Sequence, residues 1–275
     1  MNHPYLLWSL LPGFSLFTGC TVSPKKEVIK SDDRLPNVIY IFSDDLGFGD
    51  LSCYGATKIQ TPHIDSLAAQ GAQFMNAYAS SATSTPSRFC LLTGAYPWRY
   101  ENTEIATGNA GMIIDTACVT MADLFKNAGY VTGAIGKWHL GCEPSHFDYY
   151  SVFNGHGPDW NGEITPSPRN IGFDYDFVIP ATVDRVPCVY VENDRVVNLD
   201  PKDPIFVDYN KKVGNWPTGK ENPELLKMKS SHGHDNTIIN GIGRIGYMTG
   251  GKSALWVDED IADTIVSKAK AFIAK

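Results

Sequence analysis

The sequence predicts an α/β fold in which helices sandwich a mixed, mostly parallel sheet, and three observations predict it. Residues 37–42 form a continuous apolar run rich in β-branched and aromatic residues, which is typical of a central strand covered on both faces. Residues 121–129 carry apolar residues at helical spacing and end in glycine. Another strand-like run, residues 130–135, follows directly. Strands that alternate with helices in this way indicate βαβ units.

Further helices and strands are predicted in chain order. A helix begins in residues 61–68, where a threonine can cap the first turn and a proline fits the first helical position. A short strand at residues 73–78 leads to a second helix, which begins near Pro86 and ends at Gly94. Residues 258–275 have the spacing of an amphipathic helix, with acidic residues early and lysines late. That helix needs a sheet to cover.

Length and composition limit the class of protein. The chain has 275 residues, 43% hydrophobic and 19% charged, so it can bury one substantial core or two small ones. Its net charge of −7, without any basic run, argues against a nucleic-acid binder. A metal site would account for part of the acidic excess.

The first residues are predicted to be a targeting segment. Residues 6–17 are mostly apolar but too short to span a bilayer, and the segment ends Leu-Phe-Thr-Gly-Cys at Cys20. That ending resembles the cleavage box of bacterial lipoproteins. We therefore expect residues 1–20 to be a lipoprotein signal, 21–35 a polar tether, and the protein to be lipid-anchored at Cys20 in the periplasm or outer membrane. Plain secretion and an uncleaved buried segment are the alternatives.

The remaining five cysteines show neither a metal-binding nor a disulfide pattern. Their number is odd, their spacings are irregular, and no Cys-x-x-Cys occurs. We expect buried free thiols.

Two adjacent carboxylates, Asp44 and Asp45, follow the predicted central strand. Ligands sit at the carboxyl ends of strands in open α/β sheets, and carboxylates buried there need a partner or a metal. Their hard oxygen atoms would suit Ca²⁺ or Mg²⁺ rather than zinc. The alternative is a turn with two solvated aspartates.

A nucleophile candidate, Ser84, lies just outside the predicted start of the second helix. Free N–H groups and the positive end of the dipole favour an anion at that position. Arg88, four residues on, has a donor fork suited to a tetrahedral oxyanion. A capping serine with a surface arginine is the alternative.

A lysine and a histidine, Lys137 and His139, end the strand predicted at residues 130–135. Being two residues apart, they point the same way if the backbone is extended. Alone, they would be a solvated lysine and a hydrogen-bonded histidine. Beside the other two motifs, they are candidates for one site.

Residues 143–235 are the least regular part of the chain and are predicted to be a long insertion near the mouth of a site. The segment 232–236, His-Gly-His-Asp-Asn, has three possible roles: distal metal ligation, a substrate-facing loop that includes His234, or a plain polar loop.

The segment Ser-x-Pro-Ser-Arg-x-x-x-Leu-Thr-Gly, residues 84–94, resembles the signature of the type I, formylglycine-dependent sulfatases of the alkaline-phosphatase superfamily. The segments 44–51 and 136–141 (Gly-Lys-Trp-His-Leu-Gly) resemble two further motifs of that family. The resemblance implies a sulfatase-like, alkaline-phosphatase-like fold. It covers residues 36–275 as the amino-terminal part of a catalytic domain, truncated before the family's distal metal pair and carboxy-terminal subdomain.

The resemblance also implies an activity and roles for the candidate residues. A serine-type sulfatase-maturing enzyme would oxidise Ser84 to Cα-formylglycine. Asp44, Asp45 and the modified Ser84 would bind Ca²⁺ or Mg²⁺. The side chains of Arg88, Lys137 and His139 would act on the sulfuryl oxygens or the aldehyde hydrate of a sulfated carbohydrate or aryl sulfate. All of these roles are implied by the resemblance to the family.

Two rivals stay open. A phosphatase or phosphodiesterase of the same superfamily would use unmodified Ser84. A truncated chain could instead be a non-catalytic fragment that binds sulfated glycans without turnover.

Overall fold

The computed structural model describes residues 35–142, 157–231 and 233–275. The chain divides into two compact units, Met1–Gly47 and Phe48–Lys275. The predicted signal, tether and lipid anchor at Cys20 lie outside the described residues, as does His232.

The first unit contains no regular element in its described residues, 35–47. The prediction of a buried central strand at residues 37–42 is therefore wrong, and Ile39 and Ile41 are 62% and 80% exposed. An apolar run becomes a strand only where a neighbour supplies partners for its backbone groups. No strand pairs with this run in the described part of the chain.

The described residues of the second unit form four α-helices: α1 (Pro62–Gln70), α2 (Ser84–Thr93), α3 (Met121–Asn127) and α4 (Ile261–Ile273). All four occur where the sequence predicts them. The start of α3 is fixed by a capping box, in which the Thr120 hydroxyl accepts from the Asp123 N–H and the Asp123 carboxylate accepts from the Thr120 N–H. Short 3-10 turns lie at Phe48–Asp50, Ser52–Tyr54, Pro97–Arg99, Pro168–Ile171, Pro223–Leu225 and Asp258–Asp260.

Eight strands are described: β1 (Gly133–Lys137), β2 (Tyr175–Ile179), β3 (Val191–Glu192), β4 (Arg195–Val196), β5 (Phe206–Asp208), β6 (Ile238–Ile239), β7 (Ile242–Gly243) and β8 (Tyr247–Thr249). The largest sheet has the order β1-β2-β3-β4. Within it β1 and β2 are parallel, with Gly133 opposite Tyr175 and Lys137 opposite Ile179. The other two pairings are antiparallel, as are the pairs β5–β8 and β6–β7. The predicted mixed α/β architecture is therefore confirmed, but among the described strands antiparallel pairings outnumber the one parallel pairing, so the sheet is not mostly parallel there.

Three predicted boundaries need correction. Residues 73–78 are an exposed, irregular stretch rather than a strand. The strand predicted at 130–135 begins three residues later, as β1. The insertion predicted at 143–235 contains β2, whose Phe177, Val178 and Ile179 are buried in the core. That segment is therefore partly core, because its β2 pairs with a strand about 40 residues earlier.

Helix α4 covers the sheet as predicted. The Phe272 ring stacks on Tyr175 of β2, with centroids 5.5 Å apart and planes at 11°. A side chain at Gly133 of β1 would collide with Phe272, at 2.7 Å, so the glycine permits this approach. Lys268 adds an ion pair of 2.7 Å to Glu192 of β3.

The described cysteines are free thiols, as predicted, but of these five Cys142 and Cys188 alone are buried, whereas the other three are half-buried or exposed. Burial raises the pKa of the Cys188 thiol to about 12, which keeps it protonated and inert. Among the described residues, no helix combines the length and apolar character that crossing a bilayer requires.

Candidate active site

The candidate site forms where β1 and β2 end side by side. Beyond the ladder, the Trp138 N–H donates to the Ile179 carbonyl (2.9 Å) and the His139 N–H donates to the Pro180 carbonyl (3.0 Å). His139 has a φ of 58°, so the backbone there is left-handed rather than extended. The alternation argument for Lys137 and His139 is therefore wrong, although both residues do lie at the carboxyl edge of the sheet.

Ser84 is placed by the first turn of α2. The helix begins at Ser84 itself, with Thr83 as N-cap, so Ser84 lies one position inside the helix rather than just outside it. Ser87 anchors the turn because its hydroxyl donates to the Ser81 carbonyl at 2.7 Å. Gly94 ends the helix as predicted, with a φ of 68°, and its N–H donates to the Cys90 carbonyl.

The Ser84 hydroxyl lies between a cation and an imidazole. Arg88 Nε donates to Ser84 Oγ at 3.2 Å, and His139 Nδ1 lies 3.0 Å from the same oxygen. The Arg88 guanidinium is held from its other side, because Nη1 donates to the Lys137 carbonyl at 2.8 Å. The structure thus brings Ser84, Arg88, Lys137 and His139 together from α2 and the end of β1.

The tautomer of His139 follows from its second contact. Nε2 lies 2.8 Å from the Ala106 carbonyl, which can only accept, so Nε2 carries a proton. The pKa of His139 is lowered to about 4, chiefly by burial and in smaller part by the charges of Arg185, Lys137 and Arg88, while the bond to Ala106 opposes the shift. The ring is therefore neutral at pH 7. Nδ1 accepts the Ser84 hydroxyl proton, and that oxygen accepts from Arg88.

A second polar cluster follows β2. Nε2 of His234 lies 3.0 Å from Oδ2 of Asp184, and Nδ1 of His234 lies 3.0 Å from the Ser231 hydroxyl. Burial raises the pKa of Asp184, but hydrogen bonding by Thr182 and the Arg185 charge outweigh it and hold the pKa below its usual range. The charge of Arg185 also acts on His139, which places this cluster beside the site.

Asp184 and Arg185 were missed in the sequence. Their signal is positional: they follow the apolar run Phe-Val-Ile at the end of β2. Had residues 175–179 been assigned as a strand parallel to β1, both would have been expected at the same sheet edge.

Asp44 and Asp45 lie in the first unit, at a bend. Asp45 has a φ of 54°, a left-handed conformation that aspartate tolerates better than most residues. Carboxylate oxygens are the type of ligand that a hard cation binds, but Ca²⁺ prefers six or more such ligands. Among the described residues, no three His, Cys, Asp or Glu side chains form a group that could hold a metal ion.

The chain is similar in sequence and in structure to known sulfatases. The sulfatase family model matches residues 36–178, just over half of the chain. An N-acetylgalactosamine-6-O-sulfatase of Bacteroides thetaiotaomicron is 67% identical over 99% of this chain and 51% of its own length. Human arylsulfatase A is 44% identical over 56% of this chain and 27% of its own length. A solved B. thetaiotaomicron structure, from work on the metabolism of multiple glycosaminoglycans, superposes with a TM-score of 0.82 at 71% identity, over 87% of this chain and 48% of that one.

The fold is thus the alkaline-phosphatase-like α/β class. Within that class, the chain belongs to the sulfatase family, which confirms the resemblance found in the motifs. The chain spans about half the length, or less, of the curated relatives it matches.

Proposed function

We propose that the protein is a sulfuric ester hydrolase whose reacting side chain is Ser84 after oxidation to Cα-formylglycine. The observation that carries this proposal is the position of Ser84 Oγ between the Arg88 guanidinium and the neutral His139 imidazole. Membership of the sulfatase family supports the same reaction.

The residues around position 84 suit the modified side chain. When present, a hydrated formylglycine supplies two geminal hydroxyl groups, one to attack sulfur and one to lose a proton. Arg88 Nε donates to the oxygen at position 84 on which negative charge develops. His139 Nδ1 accepts the proton that leaves the other oxygen, because Nε2 is already committed to Ala106. Lys137, at the end of β1, adds positive charge for the sulfuryl oxygens.

We assign Asp44 and Asp45 as two ligands of a hard divalent cation, Ca²⁺ or Mg²⁺. Their adjacent carboxylates have the donor chemistry that such cations prefer. Such a cation, when bound, would supply Lewis-acid chemistry to the reaction.

The proposed substrate is a 6-O-sulfated N-acetylgalactosamine unit of a sulfated carbohydrate. Support comes from the relative of that name at 67% identity, and from the polar cluster of Asp184, Arg185 and His234 beside the site. Such a cluster can hydrogen-bond sugar hydroxyls, whereas a simple aryl sulfate offers no partner for it. Aryl sulfates would then be turned over less efficiently.

The test combines chemistry at Ser84 with turnover. The full-length protein is co-expressed with a serine-type sulfatase-maturing enzyme, and the Ser84 peptide is examined by mass spectrometry. We expect loss of two hydrogens, reaction with hydrazide probes, and sulfate release from a 6-O-sulfated N-acetylgalactosamine saccharide. Ser84→Ala should abolish turnover. An unmodified Ser84 peptide in an active preparation would refute the formylglycine assignment.

Unmodified Ser84 supports a second candidate function, phosphate-ester hydrolysis. Its hydroxyl donates to His139 Nδ1, as an activated nucleophile would. In the same preparations, turnover of phosphate esters by unoxidised protein, with no sulfate release from oxidised protein, would favour this candidate.

We further propose export as a lipoprotein anchored at Cys20, to the periplasm or outer membrane. The apolar segment that ends at Cys20 supports this placement. Membrane fractionation of the wild type and of Cys20→Ser tests it: the variant should lose membrane association, and a wild type found in the soluble fraction would favour secretion.

A further inference from the structure

Thr85, the residue after Ser84, is fully buried and has a hydroxyl with two backbone partners. Oγ1 donates to the His139 carbonyl at 2.9 Å, and the Ala106 N–H donates to the same Oγ1 at 3.1 Å. The hydroxyl thus joins the two segments that face each other across the imidazole of His139.

These contacts close a ring of hydrogen bonds around His139. The Nε2–H of His139 donates a hydrogen bond to the Ala106 carbonyl at 2.8 Å, and the Ala106 N–H donates to the Thr85 hydroxyl. The Thr85 hydroxyl in turn donates to the His139 carbonyl, which completes the ring of hydrogen bonds. Each of the three residues therefore donates one bond and accepts one within the ring.

The ring of hydrogen bonds stabilises an uncommon backbone conformation at His139. His139 is a non-glycine residue with a φ of 58°, a conformation that persists only where its surroundings determine it. Its N–H is held by Pro180, and its carbonyl is held by Thr85. The two bonds together set the plane from which the imidazole extends toward Ser84.

We propose that Thr85 is a positioning residue, which fixes the orientation of the His139 ring and the proton on its Nε2, so that Nδ1 faces the oxygen at position 84. The catalytic consequence rests on the proposed sulfatase function, while the orientation of the ring is a property of the chain by itself. Removing the hydrogen-bond partner of a metal-ligating histidine typically costs about 10- to 100-fold, and we expect a loss of similar size for His139.

Thr85→Val tests this because valine keeps the shape of threonine and removes only the hydroxyl. Thr85→Ser restores a hydroxyl without the methyl group. Thr103→Val is the matched control, since Thr103 is also buried and its hydroxyl also contacts backbone groups, the carbonyls of Pro97 at 2.9 Å and Tyr100 at 3.4 Å. Thr85→Ala replaces Thr85→Val if the latter does not fold.

The first readout is independent of activity. In full-length protein labelled with ¹⁵N-histidine, the His139 signals are assigned with His139→Gln. We expect the wild type to show a protonated Nε2 and an unprotonated Nδ1 at pH 7. Thr85→Val should show mixed tautomers and faster exchange of the Nε2 proton, and Thr85→Ser and Thr103→Val should match the wild type.

The second readout is steady-state kinetics of oxidised protein. Thr85→Val should lower kcat about 10- to 100-fold with KM changed less than about threefold, and Thr85→Ser should recover most of kcat. Unchanged His139 signals in Thr85→Val would overturn the positioning role, as would a Thr103→Val control that shifts them equally. Altered signals with no sulfatase turnover in any form would instead refute the proposed function and leave the orientation of the ring established.

Discussion

Arg244 lies 2.7 Å from Asp258, and its guanidinium is almost entirely buried, at 1% exposure. The same group donates to the carbonyls of Val183 and Ile239. One side chain therefore ties the loop after β2, the β6–β7 hairpin and the start of the carboxy-terminal helical segment to one another.

Arg244→Ala is predicted to destabilise the protein by about 3–5 kcal/mol, because it takes the cationic partner from the partly buried Asp258 and removes the donor to the carbonyls of Val183 and Ile239. The measurement is chemical denaturation. The matched control is Arg195→Ala, whose ion pair with Glu163 is mostly exposed and should contribute at most about 1 kcal/mol. Equal effects of the two substitutions would contradict the proposed role of Arg244.

A pH-dependent stability is predicted from Asp176 on β2. Neither of its carboxyl oxygens has a hydrogen-bond partner among the described residues. The pKa of Asp176 is raised to about 7, chiefly by burial and in smaller part by the charges of Asp194 and Glu192, while Arg169 opposes the rise. The folded state therefore holds a proton that the unfolded chain releases near pH 4, so stability should fall as pH rises from about 4 to 7 and then level off.

Asp176→Asn should remove that fall, because asparagine is neutral at every pH. At pH 8 the variant is expected to be more stable than the wild type by about 2–4 kcal/mol, and the two should converge near pH 4. Denaturation curves over this pH range measure the difference. Asp200→Asn, at an exposed position, is the control, and a wild-type curve parallel to that of Asp176→Asn would contradict the prediction.

Most of the candidate active site could be predicted from short motifs in the sequence. Ser84 and Arg88 are one helical turn apart, so a single spacing places both on one face of α2. Lys137 ends β1 and His139 lies two residues beyond it, and only the left-handed turn at His139 escaped the pattern, since no sequence rule requires a positive φ at a histidine. Local sequence therefore suffices where neighbours in the chain are also neighbours in the site.

Long-range pairing was less predictable. The apolar run at 37–42 has the composition of a strand but pairs with none in the described part of the chain, whereas Tyr175–Ile179, with an aspartate as its second residue, is a core strand. Only its pairing with Gly133–Lys137 reveals it. Arg185 depends on that same pairing for its place, which is why sequence reasoning missed it.

Arg88 is predicted to be irreplaceable by lysine. A guanidinium can donate to Ser84 Oγ and to the Lys137 carbonyl together, whereas an ammonium lacks the planar fork. Arg88→Lys should lower kcat/KM about 10²- to 10³-fold, as loss of a transition-state donor does. Arg99→Lys, at an exposed position, is the control. Formylglycine content is measured in each preparation, and near wild-type kinetics at equal content would contradict the assignment.

His234 is predicted to act on substrate binding rather than on the chemical step, because it is held by Asp184 and Ser231 and none of its described contacts is to Ser84. With a sulfated saccharide, His234→Ala should raise KM about tenfold, the equivalent of ~1.4 kcal/mol, with kcat changed less than about threefold. His63→Ala, at an exposed position on α1, is the control. A fall in kcat at constant KM would show that His234 takes part in the chemistry instead.

Asp45 is predicted to set the affinity for the divalent cation. Replacing one of two adjacent carboxylates by a neutral amide removes ligand charge, which is what tunes Ca²⁺ affinity in oxygen-ligand sites. Asp45→Asn should therefore need at least about tenfold more Ca²⁺ or Mg²⁺ than the wild type to regain activity after chelation, and calorimetric titration should show the same loss of affinity. Asp50→Asn, five residues on, lies beyond the carboxylate pair and should titrate like the wild type. If chelator leaves activity unchanged, or if Asp45→Asn and Asp50→Asn lose affinity equally, the pair Asp44 and Asp45 does not bind the metal.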